Sequence, residues 1–219
     1  ALVDETAVLE ASHHLSYPAL LRVDEGVFVL PESWEADRLS AYRFGADGRL
    51  LRETDLVVGR ALVDATLLLH DGRWWLFACD RHDDDTTNLH LFHASHWHGP
   101  FLPHPLNPVK TDVRSSRPAG AFAVVDGQLY RPAQDCALRY GNAVAINRVV
   151  ELDEHRFREE LHCVLRPDPD GQFPDGLHTI NGIGERTVID GQKLSFEPLV
   201  ALRDRRARRM ARKRRERPQ

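Results

Sequence analysis

Asp64-Ala-Thr-Leu-Leu-Leu-His-Asp-Gly72-Arg-Trp-Trp-Leu-Phe-Ala78 reads as a β-hairpin. An apolar run enters a tight Asp-Gly turn and a run rich in aromatic residues leaves it, with the glycine supplying the positive φ of the turn. The same unit is written twice more. Pro18-Ala-Leu-Leu-Arg-Val-Asp-Glu-Gly26-Val-Phe-Val-Leu-Pro-Glu32 precedes it, and Arg117-Pro-Ala-Gly-Ala-Phe-Ala-Val-Val-Asp-Gly127-Gln-Leu-Tyr-Arg-Pro132 follows. The turn glycines lie 46 and 55 positions apart. A repeat of about 40–50 residues in an all-β sequence is the mark of propeller blades. Each blade then begins at a central funnel, so the first residues of the inner strands are the ones that converge.

The segments between the hairpins fill out the blades. Leu39–Phe44 and Leu50–Glu53 read as third and fourth strands of the first unit. Asn88–His93 is the third strand of the second, with the proline-rich Gly99–Pro105 as its edge. Asn142–Asn147 and Leu161–Leu165 complete the third. A degenerate fourth unit starts at Gly176-Leu-His-Thr-Ile-Asn181, turns at Gly182–Gly184 and continues to Gly191. Helix is expected only over Asp153–Glu160 and in the basic tail. The expectation is an all-β, five-bladed propeller type with about four blades, one domain over residues 1–200 and a tail over 201–219. Val3–Glu10 reads as the outer strand of a blade whose remainder precedes Ala1, so the chain reads as a fragment or processed form.

Composition is that of an ordinary globular chain, with 42% hydrophobic and 28% charged residues among 219. No apolar run reaches the roughly 18–20 residues of a membrane span, and no signal peptide is visible. Cys79, Cys136 and Cys163 have neither zinc-site spacing nor even number, which suggests reduced thiols in a cytoplasmic protein. The net charge of −4 hides an asymmetry: Arg203–Arg217 holds ten basic residues against Asp204 and Glu216, leaving the body strongly acidic. Such a tail, without interleaved aromatics, reads as solvated, and nucleic acid is not the expected partner. No cofactor motif is present. A metal reading of Asp83–Asp85 with His90, His93, His96 and His98 is disfavoured because His90 and His93 would point to opposite faces of a strand.

Indexing the repeats on their turn glycines places Ser16-Tyr17-Pro18, Leu62-Val63-Asp64, Arg117-Pro118-Ala119 and His178 at the funnel. A carboxylate, a guanidinium and an imidazole converging there suit a carbohydrate, whose hydroxyls need paired donors and acceptors. Glu32, Gln134 and Asp135 sit a similar distance after their turns. Prolines beside these acids suggest β-bulges in the second strands. The candidate catalytic residues are Asp64, Glu32 and Asp135. The candidate substrate-binding residues are Tyr17, Arg117, Gln134, His178 and Asn181.

Seven strings carry a family resemblance: His14-Leu-Ser-Tyr-Pro18, Leu30-Pro-Glu-Ser33, His70-Asp-Gly-Arg-Trp-Trp-Leu-Phe77, Gly99-Pro-Phe-Leu-Pro-His-Pro-Leu-Asn-Pro108, Ser116-Arg-Pro-Ala-Gly120, Leu129-Tyr-Arg-Pro-Ala-Gln-Asp135 and Leu177-His-Thr-Ile-Asn181. Over about residues 8–192 the chain resembles the N-terminal propeller domain of plant glucosamine inositolphosphorylceramide transferases. Similar bacterial domains are joined to formyltransferase-like domains. That domain is in turn similar to five-bladed glycoside hydrolases acting on arabinan, xylan and fructan. The resemblance implies a base or nucleophile Asp on the first blade, a supporting Asp on the third and a general-acid Glu on the fourth. If the absent blade is the first, Asp64 matches the supporting Asp and the first-blade Asp falls upstream of Ala1. Ser116-Arg117-Pro118 occupies the place of the acid, with no Glu, leaving Glu32 or Asp135 to supply one. The expected function is recognition of a glycan or sugar-linked molecule, with glycosidase-like activity or assistance to sugar transfer. The alternative is a noncatalytic scaffold presenting substrate to a fused or partner transferase, and a third, weaker reading is nucleic-acid association through the tail.

Overall fold

The computed structural model describes residues 6–194. Three antiparallel sheets of four sequential strands are followed by a hairpin, each packed against the next. The first sheet comprises β1 (Ser16–Val23), β2 (Gly26–Glu32), β3 (Arg38–Phe44) and β4 (Leu50–Val58). The second comprises β5 (Leu62–His70), β6 (Arg73–Asp80), β7 (Asn88–Ala94) and β8 (Leu102–Pro103), with β9 (Lys110–Thr111) also pairing with β7. The third comprises β10 (Ala123–Val125), β11 (Gln128–Asp135), β12 (Ala143–Leu152) and β13 (Phe157–Leu165), and the hairpin is β14 (Gly176–Ile183) with β15 (Arg186–Gln192).

The turn chemistry explains the hairpins. Asp71 and Gly72, and likewise Asp126 and Gly127, both have positive φ, the type I′ arrangement whose twist matches that of the strands it joins. The first hairpin departs from the expected Glu-Gly turn. Val23 pairs with Gly26, so Asp24 and Glu25 form the turn and the glycine opens β2.

Apolar residues between adjacent sheets hold the stack. Leu30, Leu39, Leu62, Leu76, Phe92 and Trp97 fill the layer between the first and second sheets. Trp75, Phe77, Leu89 and Leu91 meet Phe122 and Phe157 between the second and third. Ala119, Val144 and Leu177 form a smaller layer against the last hairpin. Each fully buried large side chain contributes about 1.5–3 kcal/mol.

Two expected elements differ. Asp153–Glu160 is not a helix. The Asp153 carboxylate accepts the amides of His155 and Arg156 at 2.8 and 2.9 Å, closing a turn, and Phe157 then starts β13. Phe157 and Glu159 fall two apart on one strand face and are both drawn inward, Phe157 to Phe77 and Glu159 to Arg131; that period of two overrides the polar, helix-like composition. Thr6–Glu10 is irregular rather than a strand, although the Val8 carbonyl accepts the Leu50 amide at 2.8 Å. The tail over 201–219 lies outside the described residues. Among the described residues no helix is long and apolar enough to cross a membrane.

Candidate functional site

The bulges lie on the inner strands, not on the second strands where the prolines suggested them. Ser16 pairs with Glu32 but Ala19 with Leu30, Val63 with Cys79 but Thr66 with Phe77, and Leu177 with Gly191 but Thr179 with Asp190. Each of these three inner strands thus carries one extra residue, at Tyr17-Pro18, Asp64-Ala65 and His178. In the third sheet Pro118 pairs with Ala133 and Ala123 with Tyr130, so two extra residues loop out around Gly120. A bulge turns a side chain off the alternating pattern. Here it turns Tyr17, Asp64 and His178 into one cavity. Tyr17 and Asp64 have φ of 42° and 50°, a conformation that costs a side chain about 1 kcal/mol or more.

The cavity measures about 1110 Å³ and is lined by residues of the first, second and last sheets together with Arg117, Ala121 and Tyr140. Its floor is ionic. Arg117 Nε donates to Asp64 Oδ2 at 2.5 Å, and Gln134 Nε2 donates to the same oxygen at 2.9 Å. Arg117 Nη1 reaches the backbone oxygen of Asp85 at 3.1 Å and its carboxylate at 3.3 Å. The guanidinium carbon lies 4.9 Å from the centroid of the Tyr140 ring, within cation–π range. Burial opposes the Arg117 charge, but Asp64, Tyr140 and Asp85 together outweigh it and the guanidinium is held even more firmly protonated than usual. Asp64 Oδ1 and Arg117 Nη2 take no hydrogen-bond partner among the described residues.

Glu32 closes the bulge. Its Oε2 accepts the Asp64 amide at 3.1 Å, and its Oε1 lies 4.0 Å from His14 Nε2. Burial and the Asp64 charge push the Glu32 carboxyl above the usual carboxylate range. Thr66 Oγ donates to the Asp64 carbonyl at 3.1 Å, which leaves the Tyr17 hydroxyl to donate to Thr66 at 3.1 Å. Burial and then Asp64 push the Tyr17 phenol well up, so it stays neutral. Across the cavity, His178 lies between Asp190 and Tyr140, at 2.9 and 2.5 Å. At the mouth the Arg81 guanidinium covers the Trp34 ring at 4.2 Å.

The family described as "Glucosamine inositolphosphorylceramide transferase 1, N-terminal" matches residues 5–205. The chain belongs to this family. It is 30% identical over 159 residues to glucosamine inositolphosphorylceramide transferase 1 of Oryza sativa subsp. japonica, covering 69% of this chain and 21% of that protein. To the Arabidopsis thaliana protein of the same name it is 29% identical over 202 residues, covering 90% and 26%. The chain therefore spans about a fifth to a quarter of the curated relatives it matches. Among solved structures it is similar to a GH43_1 enzyme from Xanthomonas citri complexed with xylotriose, with TM-score 0.56, 13% identity and coverage of 84% of this chain and 68% of that one. A Bacteroides ovatus xyloglucan-locus GH43B protein gives 0.55, 17%, 81% and 35%. At such identities the likeness speaks for the fold, the five-bladed propeller of GH43 glycoside hydrolases, of which this chain forms a part. The glucosamine inositolphosphorylceramide transferase N-terminal domain is accordingly a propeller of this type.

Of the residues singled out from the sequence, Asp64, Glu32, Tyr17, Arg117, His178 and Asn181 line the cavity. Asn181 serves the scaffold there, accepting the Ala121 amide at 2.9 Å and tying the last hairpin to the third sheet. Gln134 lies beneath the floor, bonded to Asp64 and to the Pro118 carbonyl. Asp135 is not on the cavity wall: its carboxylate accepts the Ala137 amide at 3.0 Å and ends β11. His90 pairs with Asp83 at 2.9 Å, and His93 contacts Arg73. The sequence reading missed Tyr140, Asp85, Thr66 and Asp190. Thr66 sits two residues after Asp64 and carried a usable signal, but Tyr140 and Asp190 reach the cavity only through the packing of the last hairpin.

Proposed function

We propose that the funnel is a sugar-recognition site whose floor is the Asp64–Arg117 pair. The observation that carries this is the arrangement of that pair: a buried carboxylate and guanidinium fixed through one set of atoms, each keeping a polar atom free at the bottom of the cavity. Adjacent sugar hydroxyls each donate and accept, and an acceptor beside a donor suits them. The backbone strain at Tyr17 and Asp64 fits a site kept for binding, since residues in such conformations cluster where a ligand is held. Within the larger proteins of this family, the domain would hold a sugar or sugar-linked substrate for a transferase region elsewhere in the chain.

A hydrolytic reading is supported by one further observation. Glu32, held toward its protonated form, adjoins Asp64, and an acid beside an ionised carboxylate is the pairing that glycoside hydrolysis uses. The deciding experiment is calorimetric titration with neutral mono- and oligosaccharides alongside turnover of a panel of aryl glycosides. Binding by the wild type that is lost in Asp64→Asn, without turnover, supports the recognition site. Turnover that Glu32→Gln abolishes while binding persists would replace it with the hydrolytic reading.

A further inference from the structure

The funnel wall contains a hydrogen-bond chain that its floor does not use. Asp190 Oδ2 lies 2.9 Å from His178 Nδ1, and His178 Nε2 lies 2.5 Å from the Tyr140 hydroxyl. All three residues line the cavity. They come from different places: His178 is the bulged residue of β14, Asp190 is on β15, and Tyr140 is in the connection from β11 to β12. The next residue, Gly141, has φ of 67°, and a Cβ there would lie 3.5 Å from the His178 ring. The backbone thus passes close beside the imidazole. From the other side, Arg117 lies over the Tyr140 ring. The hydroxyl is held at one end and the ring at its face.

The chemistry of the chain fixes the direction of its hydrogen bonds. An ionised carboxylate only accepts, so His178 carries its proton on Nδ1 toward Asp190. Nε2 of the neutral ring is then an acceptor, and Tyr140 donates to it. With its proton turned to the wall, the Tyr140 oxygen offers only lone pairs to the funnel. When His178 gains a second proton, Nε2 becomes a donor, Tyr140 accepts, and the phenolic O–H is free to point at a ligand.

We infer that Asp190, His178 and Tyr140 form a relay in which the protonation of His178 sets whether Tyr140 accepts from, or donates to, a hydroxyl of a ligand in the funnel. The inference rests on the sugar-recognition reading of the same cavity. It requires a phenol that stays neutral, and burial together with Asp64 pushes Tyr140 up to about 12. Asp190 faces His178 from β15. Tyr140 faces it from the β11–β12 connection, with Arg117, Asp64, Glu32 and Cys136 acting on that phenol. Arg139, next in the chain, is bonded to the Asp175 carbonyl.

Two measurements test the relay on the full chain. The first is nitrogen NMR of histidine-labelled protein. The neutral His178 ring should be the Nδ1–H tautomer, and Asp190→Asn should lower its titration midpoint. The Nε2–H tautomer, or a midpoint unmoved by Asp190→Asn, would overturn the relay. The second uses the best binder among xylose, galactose, glucose and glucosamine, and its singly deoxyfluorinated analogues, in which fluorine can accept weakly but cannot donate. At pH 8 one analogue should lose about tenfold in affinity, the size of a lost hydrogen bond to a buried group. The loss should shrink as pH falls through the His178 midpoint and be absent in Tyr140→Phe, which keeps the imidazole and its charge. A pH profile unchanged in Tyr140→Phe overturns the relay alone. Failure of every sugar to bind the wild type at any pH overturns the reading beneath it.

Discussion

Two buried arginines, 14 positions apart in the sequence, use their charge in opposite ways. Arg131 is sealed. Its Nε and Nη2 grip Glu159 at 2.8 and 2.6 Å, while Nη1 and Nη2 donate to the carbonyls of Ser116 and Ser115 at 3.1 and 2.5 Å. Lys110 adds a second cation to Glu159 at 2.7 Å. Arg117 is open. It meets Asp64 through Nε alone, shares Asp85 through Nη1, and presents the rest of its plane to Tyr140 and the cavity. The first arrangement commits all three guanidinium nitrogens to the protein and locks β11 to β13. The second leaves donor and acceptor capacity unspent beside a cavity, as a binding site requires. Burial and charge are common to both, so only the directions of the hydrogen bonds separate structure from recognition.

The comparison breaks most directly at Arg131. Arg131→Met strands Glu159 with one cation, and removing a partner from a buried pair costs about 3–5 kcal/mol. Chemical denaturation should show that loss, with the funnel's ligand affinity little changed in the folded fraction. Arg117→Ala should invert the pattern. Gln134 still holds Asp64 and the cavity admits water, so the stability cost should be about 1–3 kcal/mol, while calorimetry should show sugar binding lost.

The smallest effects are in pH dependence, and their signs differ. Burial raises the Glu159 carboxyl, but Arg131 and Lys110 outweigh it and hold it below the usual range. Its stabilisation is therefore present above the ordinary Glu range and is lost as pH falls through the lowered value. The stability gap between wild type and Glu159→Gln should be widest near neutrality and narrow in acid. Glu32 is raised, so the folded state carries a penalty that grows as pH rises from the ordinary Glu range through the raised value. Glu32→Gln should gain stability relative to wild type at pH 7–8, and that gain should vanish in acid. Denaturation midpoints from pH 3 to 8 check both, and gaps of the same sign would contradict the contrast.

The blades were legible because turn chemistry and strand alternation are local. Asp71-Gly72 and Asp126-Gly127 write their turns in two residues, and indexing the repeats on their turn glycines found Tyr17, Asp64, Arg117 and His178 at the funnel. What stayed hidden depends on contacts made across the chain. Glu159 reads as helical until Arg131 draws it inward from another strand. Asp135 stands next to Gln134 and, like Glu32, follows a turn by a similar distance, yet a turn of its own takes it off the cavity wall. The bulges fell on the inner strands, where Glu32 accepts the displaced Asp64 amide, a pairing that a separation of 32 positions conceals. Tyr140 and Asp190 carry no motif at all and are brought together by His178 when the last hairpin docks.

The contrast between the two arginines is most directly tested by following their Nε–Hε signals by NMR while a neutral sugar is titrated at pH 7. The account predicts that the Arg117 signal shifts saturably, that the Arg131 signal stays in place, and that Asp64→Asn abolishes the Arg117 response. A saturable sugar interaction that leaves Arg117 unmoved, or that survives unchanged in Asp64→Asn, would contradict it.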